Sequence, residues 1–176
     1  LRPEQAKQVG GEALAMVKSR ALDLERLTGK RVLDDNGQMT DPTEALASVK
    51  KIAQNAKYDV LVLRGAGVRL AGLEFDTMLA SYVLDPGRRS HGLDMLALEL
   101  LGHTMTSYEQ LCGKGRTQLP FSVVPIDAAR DYSCEDVDVT MRLRAIFEPM
   151  LEAHGMRALL ADMEVPLVEV LADYAA

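Results

Sequence analysis

QNAKYD at residues 54–59 and YSCEDVDVT at residues 132–140 decide how this chain reads. Each sets a carboxylate four residues after a polar or aromatic group: Asn55 before Asp59, and Tyr132 before Asp136. On a helix, a spacing of four puts both side chains on one face, about one turn apart. Two such helices can aim acidic groups into one cleft. Magnesium-dependent phosphodiester chemistry needs that arrangement, because Mg²⁺ takes oxygen ligands, binds few protein carboxylates and fills its shell with water and substrate phosphate. A tyrosine one turn from a ligand is placed to orient attacking water.

Outward from these segments the chain is mainly helical. Residues 51–54 read as a short strand feeding a helix over 55–65, closed by Gly65 and Gly67, and residues 72–75 as a second extended segment. A helix over 76–84 stops before Asp85-Pro86, and one over 93–101 ends at Gly102. A brief helix at 107–112 precedes a loop over 113–124. The spacing then predicts a long helix from Pro125 or Ile126 to His154, kinked or broken at Pro149, and a last helix over 156–174 interrupted near Pro166. Asp76 is expected as a helix N-cap. Asp138 points off the face of Asp136 and should be solvated or paired, and Asp94 and Glu99 fit a solvent face. His91 sits in a loop, while His103 and His154 follow helix ends, where a cation is favoured. Met78, Met95 and Met141 read as core.

The first fifty residues stand apart. Ala6, Val9, Ala13, Leu14, Met16, Val17, Ala21, Leu24 and Leu27 recur at three and four, predicting an amphipathic helix over 3–28. Pro3 falls in its first turn, Gly29 lies at its end, and Gly10-Gly11 weakens it. In RVLDDNGQM, Asn36-Gly37 signals a turn between short extended arms. Asp41, Pro42 and Glu44 then have the pattern of a helix start. The domain organisation read here is residues 1–50 as an N-terminal helix and hairpin of open role, and 51–176 as a second domain.

Composition bounds the function classes. Of 176 residues, 48% are hydrophobic and 26% charged, as in an ordinary globular protein. Tryptophan is absent and nine Met are present, so the core is expected from Leu, Val, Ala and Met. No apolar run approaches the roughly 18 residues of a membrane span. Cys112 and Cys134 lack metal-type spacing and read as reduced thiols of a cytoplasmic protein. A net charge of −6 argues against broad electrostatic capture of nucleic acid, although Lys114 and Arg116 form a local basic pair in the GKGRTQ loop.

QNAKYD, FDTMLASYVLDP at 75–86, GKGRTQLPF at 113–121 and YSCEDVDVT together resemble the proofreading 3′–5′ exonuclease domain of bacterial DNA polymerase I, in one order from about residue 51 to 171. The resemblance implies an α/β, ribonuclease H-like fold, here helix-rich with a reduced or altered sheet. It implies a two-metal nuclease using Mg²⁺ or Mn²⁺ on a single-stranded 3′ end of DNA. Asp59 matches the aspartate of the second acidic motif and Asp136 that of the third, both as metal ligands. Tyr132 matches the tyrosine that positions the nucleophilic water, and Asn55, Lys114 and Arg116 fall at DNA-contacting positions. In an intact site of this type the two ions lie about 4 Å apart.

The family's first motif, Asp-x-Glu, has no counterpart at a suitable distance upstream of Asn55. Asp34-Asp35-Asn36 is the nearest candidate, and it lacks the glutamate. Two of the four acidic ligands are therefore missing, which predicts an incomplete or inactive site. Two other classes stay open: a non-catalytic DNA-binding or structural module derived from that domain, and a helical protein-interaction domain. Expected partners are DNA and either a polymerase domain or a second copy of the chain, with no membrane. The apolar face of helix 3–28 should be covered, because a stripe of that size rarely faces water. Deleting residues 1–30 should lower the melting temperature or solubility; an unchanged melting temperature and elution volume would mark the segment as dispensable.

Overall fold

The computed structural model describes residues 49–65 and 68–175. The readings of helix 3–28, the Asn36-Gly37 turn, the Asp41 helix start and Asp34-Asp35-Asn36 lie outside the described residues. Two compact units divide the chain, Leu1–Lys50 with Leu63–Gly72, and Lys51–Val62 with Leu73–Ala176. The strands and helices of the described residues belong to the second unit, apart from the last turn of the helix at Ala56–Gly65.

β1 (Lys51–Ala53) and β2 (Leu73–Asp76) pair in parallel, with Ile52 opposite Phe75 and Ala53 opposite Asp76. Parallel strands need a crossover between them, and α1 (Ala56–Gly65) supplies it. Among the described residues this two-stranded sheet is the whole of the β structure, so the reduced-sheet expectation holds for that part of the chain. α2 (Thr77–Leu84) follows β2 directly. α3 (Leu93–Leu96) passes into a π-helical turn at Ala97–Leu101, which Gly102 ends in the left-handed conformation at φ 63°. α4 (Tyr108–Cys112) starts on a reciprocal capping box between Ser107 and Gln110. The expected loop after it contains two short 3₁₀ turns, Gly115–Thr117 and Phe121–Val123.

α5 (Ile126–Ala153) is the longest described element, at 28 residues. It runs through Pro149, so of the expected kink or break the break does not occur. Proline forfeits one backbone hydrogen bond, but Phe147 and Leu151 on either side are buried, and their packing outweighs that loss. The final helix is interrupted as expected, in a specific form. α6 (Arg157–Leu159) continues through a π turn at Leu160–Glu164 into α7 (Val165–Tyr174), so the irregular turn lies just before Pro166, whose ring and missing N–H disfavour a regular α pattern there.

The core gathers on α5. Val139, Leu143, Phe147 and Leu151 recur every four residues and meet Phe75, Ala80, Leu96, Ala97, Leu160 and Val165. Arg144 joins α5 to β2, stacking its guanidinium 5.5 Å from the Phe75 ring centroid and bridging Glu74 at 3.4 Å and Glu148 at 3.0 Å. Met141 is 52% exposed, and Met78 and Met95 are half-buried, correcting the expectation that all three are core. Met141 lies two residues from Val139 and Leu143, which turns it off the buried stripe. Asp138 is exposed and pairs with Arg142 at 3.5 Å, as its position suggested.

Two predictions follow from this packing. Leu143 is fully buried, so Leu143→Ala should cost about 2–5 kcal/mol and lower the urea midpoint with little change in slope. Glu135 accepts the Thr106 N–H at 2.9 Å and meets His103 Nε2 at 2.8 Å. The Thr106 amide first, and His103 second, hold its carboxyl below the usual carboxylate range. Its contribution should therefore be fully present above the unfolded value of about 4.3 and vanish as pH falls through the lowered folded value. Urea melts of wild type and Glu135→Gln should differ at pH 7 and converge in acid; a gap unchanged in acid would contradict the assignment.

Candidate functional site

Asn55, Asp59, Tyr132 and Asp136 all line one cleft of about 590 Å³. Two elements bring them there. Asn55 precedes α1 in a left-handed conformation at φ 62°, so it lies outside the helix rather than within it as the spacing suggested. Asp59 follows in the first turn of α1, where the helix dipole favours a carboxylate. Tyr132 and Asp136 lie one turn apart on α5. Taken at about 100° per residue, they share the face that carries Val139 and Leu143. That face is core in its later turns and cleft wall in its earlier ones.

The floor is built on buried polar contacts. Asp76 is 1% exposed and caps α2 by accepting the Met78 and Leu79 N–H groups at 2.8 and 3.2 Å. Its carboxylate also accepts the Asn55 N–H at 3.2 Å and the Ala56 N–H at 2.6 Å. Beside it, Thr77 Oγ1 reaches the Ala53 carbonyl at 3.2 Å and also Gln54 Oε1. Gln54 donates to the His91 carbonyl at 2.8 Å, and His91 Nδ1 lies 2.8 Å from Ser81 Oγ. FDTML announced the α2 cap, but nothing local in the sequence announced the second pair of donors.

Burial raises the proton affinity of both cleft carboxyls. For Asp59 the negative charge of Asp76 adds to the effect, and for Asp136 that of Glu135 does. Tyr132 is also pushed up, by burial and then by the charge of Asp136, so its phenol keeps its proton at neutral pH and can donate a hydrogen bond. Phe121 packs edge-on against Tyr132, and Tyr108 stacks on Phe121, each at 6.2 Å between centroids. The 113–125 loop is thereby tied to the cleft rim. Met78, Val137, Thr140 and Met141 line the cleft as well, and sequence reading had given none of them a place there. Their apolar or helical context reads as core, and only the fold shows where the buried stripe ends.

Lys114 and Arg116 are not in the cleft wall. Both are exposed, and Lys114 pairs with Glu109 at 3.1 Å. Among the described residues no group of three or more His, Cys, Asp or Glu side chains is arranged to hold a metal ion. Asp59 and Asp136 are the carboxylates in the cleft wall, oxygen donors suited to a divalent ion that keeps much of its water.

Known proteins resemble the chain as follows. The 3′–5′ exonuclease family matches residues 32–152, so the match opens upstream of Lys51, in a stretch where sequence reading recognised no family. DNA polymerase I of Rhizobium leguminosarum is 45% identical over 125 residues, covering 71% of this chain and 12% of that protein. DNA polymerase I of Pseudomonas aeruginosa is 46% identical over 125 residues, covering 69% of this chain and 14% of its own length. The Mycobacterium bovis DNA polymerase I is 32% identical over 176 residues and covers 93% of this chain, but only 18% of that protein. The chain thus spans less than a fifth of the length of these relatives. A solved structure of the POL domain of Pol1 from M. smegmatis, in complex with DNA primer-template and dNTP, superposes with a TM-score of 0.53 at 26% identity. It covers 80% of this chain and 22% of that one. With four motif residues around one cleft and the family matched over most of the sequence, this chain belongs to the 3′–5′ exonuclease family, as part of the sequence of bacterial DNA polymerase I does.

Proposed function

We propose that this chain is a ribonuclease H-like proofreading domain of DNA polymerase I type whose cleft takes the single-stranded 3′ end of DNA, with an incomplete metal centre. The observation that carries this is the convergence of Asn55, Asp59, Tyr132 and Asp136 on one cleft from two separate elements. Asp59 and Asp136 are the remaining metal ligands, Tyr132 holds water through its hydroxyl, and Asn55 contacts the strand. Lys114 and Arg116 meet backbone phosphates on the approach, from the loop that the aromatic stack fastens to the rim. An intact centre of this family uses Mg²⁺ or Mn²⁺ to supply the nucleophile and stabilise the leaving oxygen. Among the described residues, Asp59 and Asp136 are the cleft acids available to hold such ions. The cellular setting that fits is the cytoplasm of a bacterium, with a polymerase domain as partner.

The expected outcome is very slow or absent digestion of a 3′-labelled oligonucleotide by this chain alone, with little gain from Mg²⁺ or Mn²⁺. Mn²⁺ should bind somewhat better than Mg²⁺. An ion present near its dissociation constant stabilises by only about 0.4 kcal/mol, so either cation should barely move the melting temperature. Robust 3′–5′ digestion that disappears in Asp136→Ala would show a complete centre, and Asp34→Ala would then test where its missing acid lies. Binding of the oligonucleotide without digestion would support a non-catalytic DNA-binding module. Neither binding nor digestion would remove DNA from the reading.

A further inference from the structure

We infer that Asp76 is a positioning residue for the cleft: its buried carboxylate fixes where α1 begins, and so where Asp59 stands. The α2 cap accounts for only half of its contacts. The other half reach back twenty and twenty-one residues, to the Ala56 and Asn55 amides at 2.6 and 3.2 Å. Those amides open α1, and a helix start leaves such donors without intrahelical partners. Ala56 is fully buried, so water is a poor substitute there.

The two roles share Oδ1 but can be separated by substitution. A carboxylate offers two oxygens with about four lone-pair sites, and here Oδ1 takes Asn55, Met78 and Leu79 while Oδ2 takes Ala56. An amide offers one acceptor oxygen, and a serine hydroxyl can cap α2 but is too short to reach α1 as well. Asp59 lies one turn beyond Ala56, so a shift at the helix start carries straight to it. Asn55 moves with the same segment; its left-handed backbone needs external support, which the Asp76 bond to its N–H supplies. One buried side chain thereby sets two of the four cleft residues. This positioning stands on the hydrogen bonds alone, and its bearing on DNA rests on the function proposed above.

The test is NMR on the full chain. In wild type, through-hydrogen-bond couplings should link the Asp76 side-chain carboxyl carbon to the Ala56 amide nitrogen, and more weakly to that of Asn55. In Asp76→Ser, the Met78 and Leu79 amides should keep their protection from exchange. The Asn55 and Ala56 amides should lose at least about tenfold, which corresponds to about 1.4 kcal/mol, and the Asp59 carboxyl resonance should move. Asp76→Asn should fall between serine and wild type. Asn55 and Ala56 amides that exchange as in wild type while α2 frays would reduce Asp76 to an ordinary cap. Absence of the Ala56 coupling in wild type would overturn the proposal even if both variants fail to fold. Titration with a single-stranded oligonucleotide separates the two ideas: an Asp59 resonance that ignores DNA in wild type would sink the proposed function and leave the amide result standing.

Discussion

A carboxylate removed from water keeps its charge only if donors replace the hydration it has lost. Asp76 meets that demand with four backbone N–H groups drawn from the starts of two helices. Capping is usually a local matter between a side chain and the next two or three residues. Here the cap of α2 also receives the first amides of α1, so the two helices are referred to one point at the end of β2. Because Ala53 pairs with Asp76 across the sheet, the strands bring those amides within reach. Sheet register, both helix starts and the cleft floor are thus coupled through one side chain.

The opposite wall depends on a different economy. α5 carries its buried and its chemical residues on one face, with Tyr132 and Asp136 preceding Val139, Leu143 and Phe147. The core fixes the rotation of the helix, and that rotation aims the earlier turns into the cleft. Glu135 adds a second fastening through Thr106 and His103 at the level of the site. Its charge also makes Asp136 hold its proton more firmly, so the bond that steadies this wall works against the charge of the carboxylate beside it.

Much of this was legible in the sequence, for identifiable reasons. Helix periods, Gly102 and the Asp76 cap are local signals, and the elements they imply appear within a residue or two. The i, i+4 spacing of Tyr132 and Asp136 converts directly into a shared helix face, whereas Asn55 reaches the cleft from outside α1. Long-range accounting was not legible. Nothing near Asn55 reveals that its amide is met from residue 76, and nothing near Met141 reveals that it flanks the core stripe. Pro149 shows the converse, a strong local signal overruled by burial on both sides. Lys114 and Arg116 lie outside the cleft wall, and charge alone does not say which surface a loop presents.

The π turns at Ala97–Leu101 and Leu160–Glu164 bear on how this sequence tolerates change in length. Each accommodates one residue more than a regular α turn would. Losing a single codon there would leave a good helix locally, so the lesion would be hard to recognise from propensity. The flanking residues would keep nearly the same facing, because the deletion removes the residue that the wide turn carries in excess. His103 would stay on the side of Glu135, and Val165 and Val168 on their buried side. In a regular stretch such as α5 the same deletion would rotate everything after it by about 100° and turn the core stripe away from the protein.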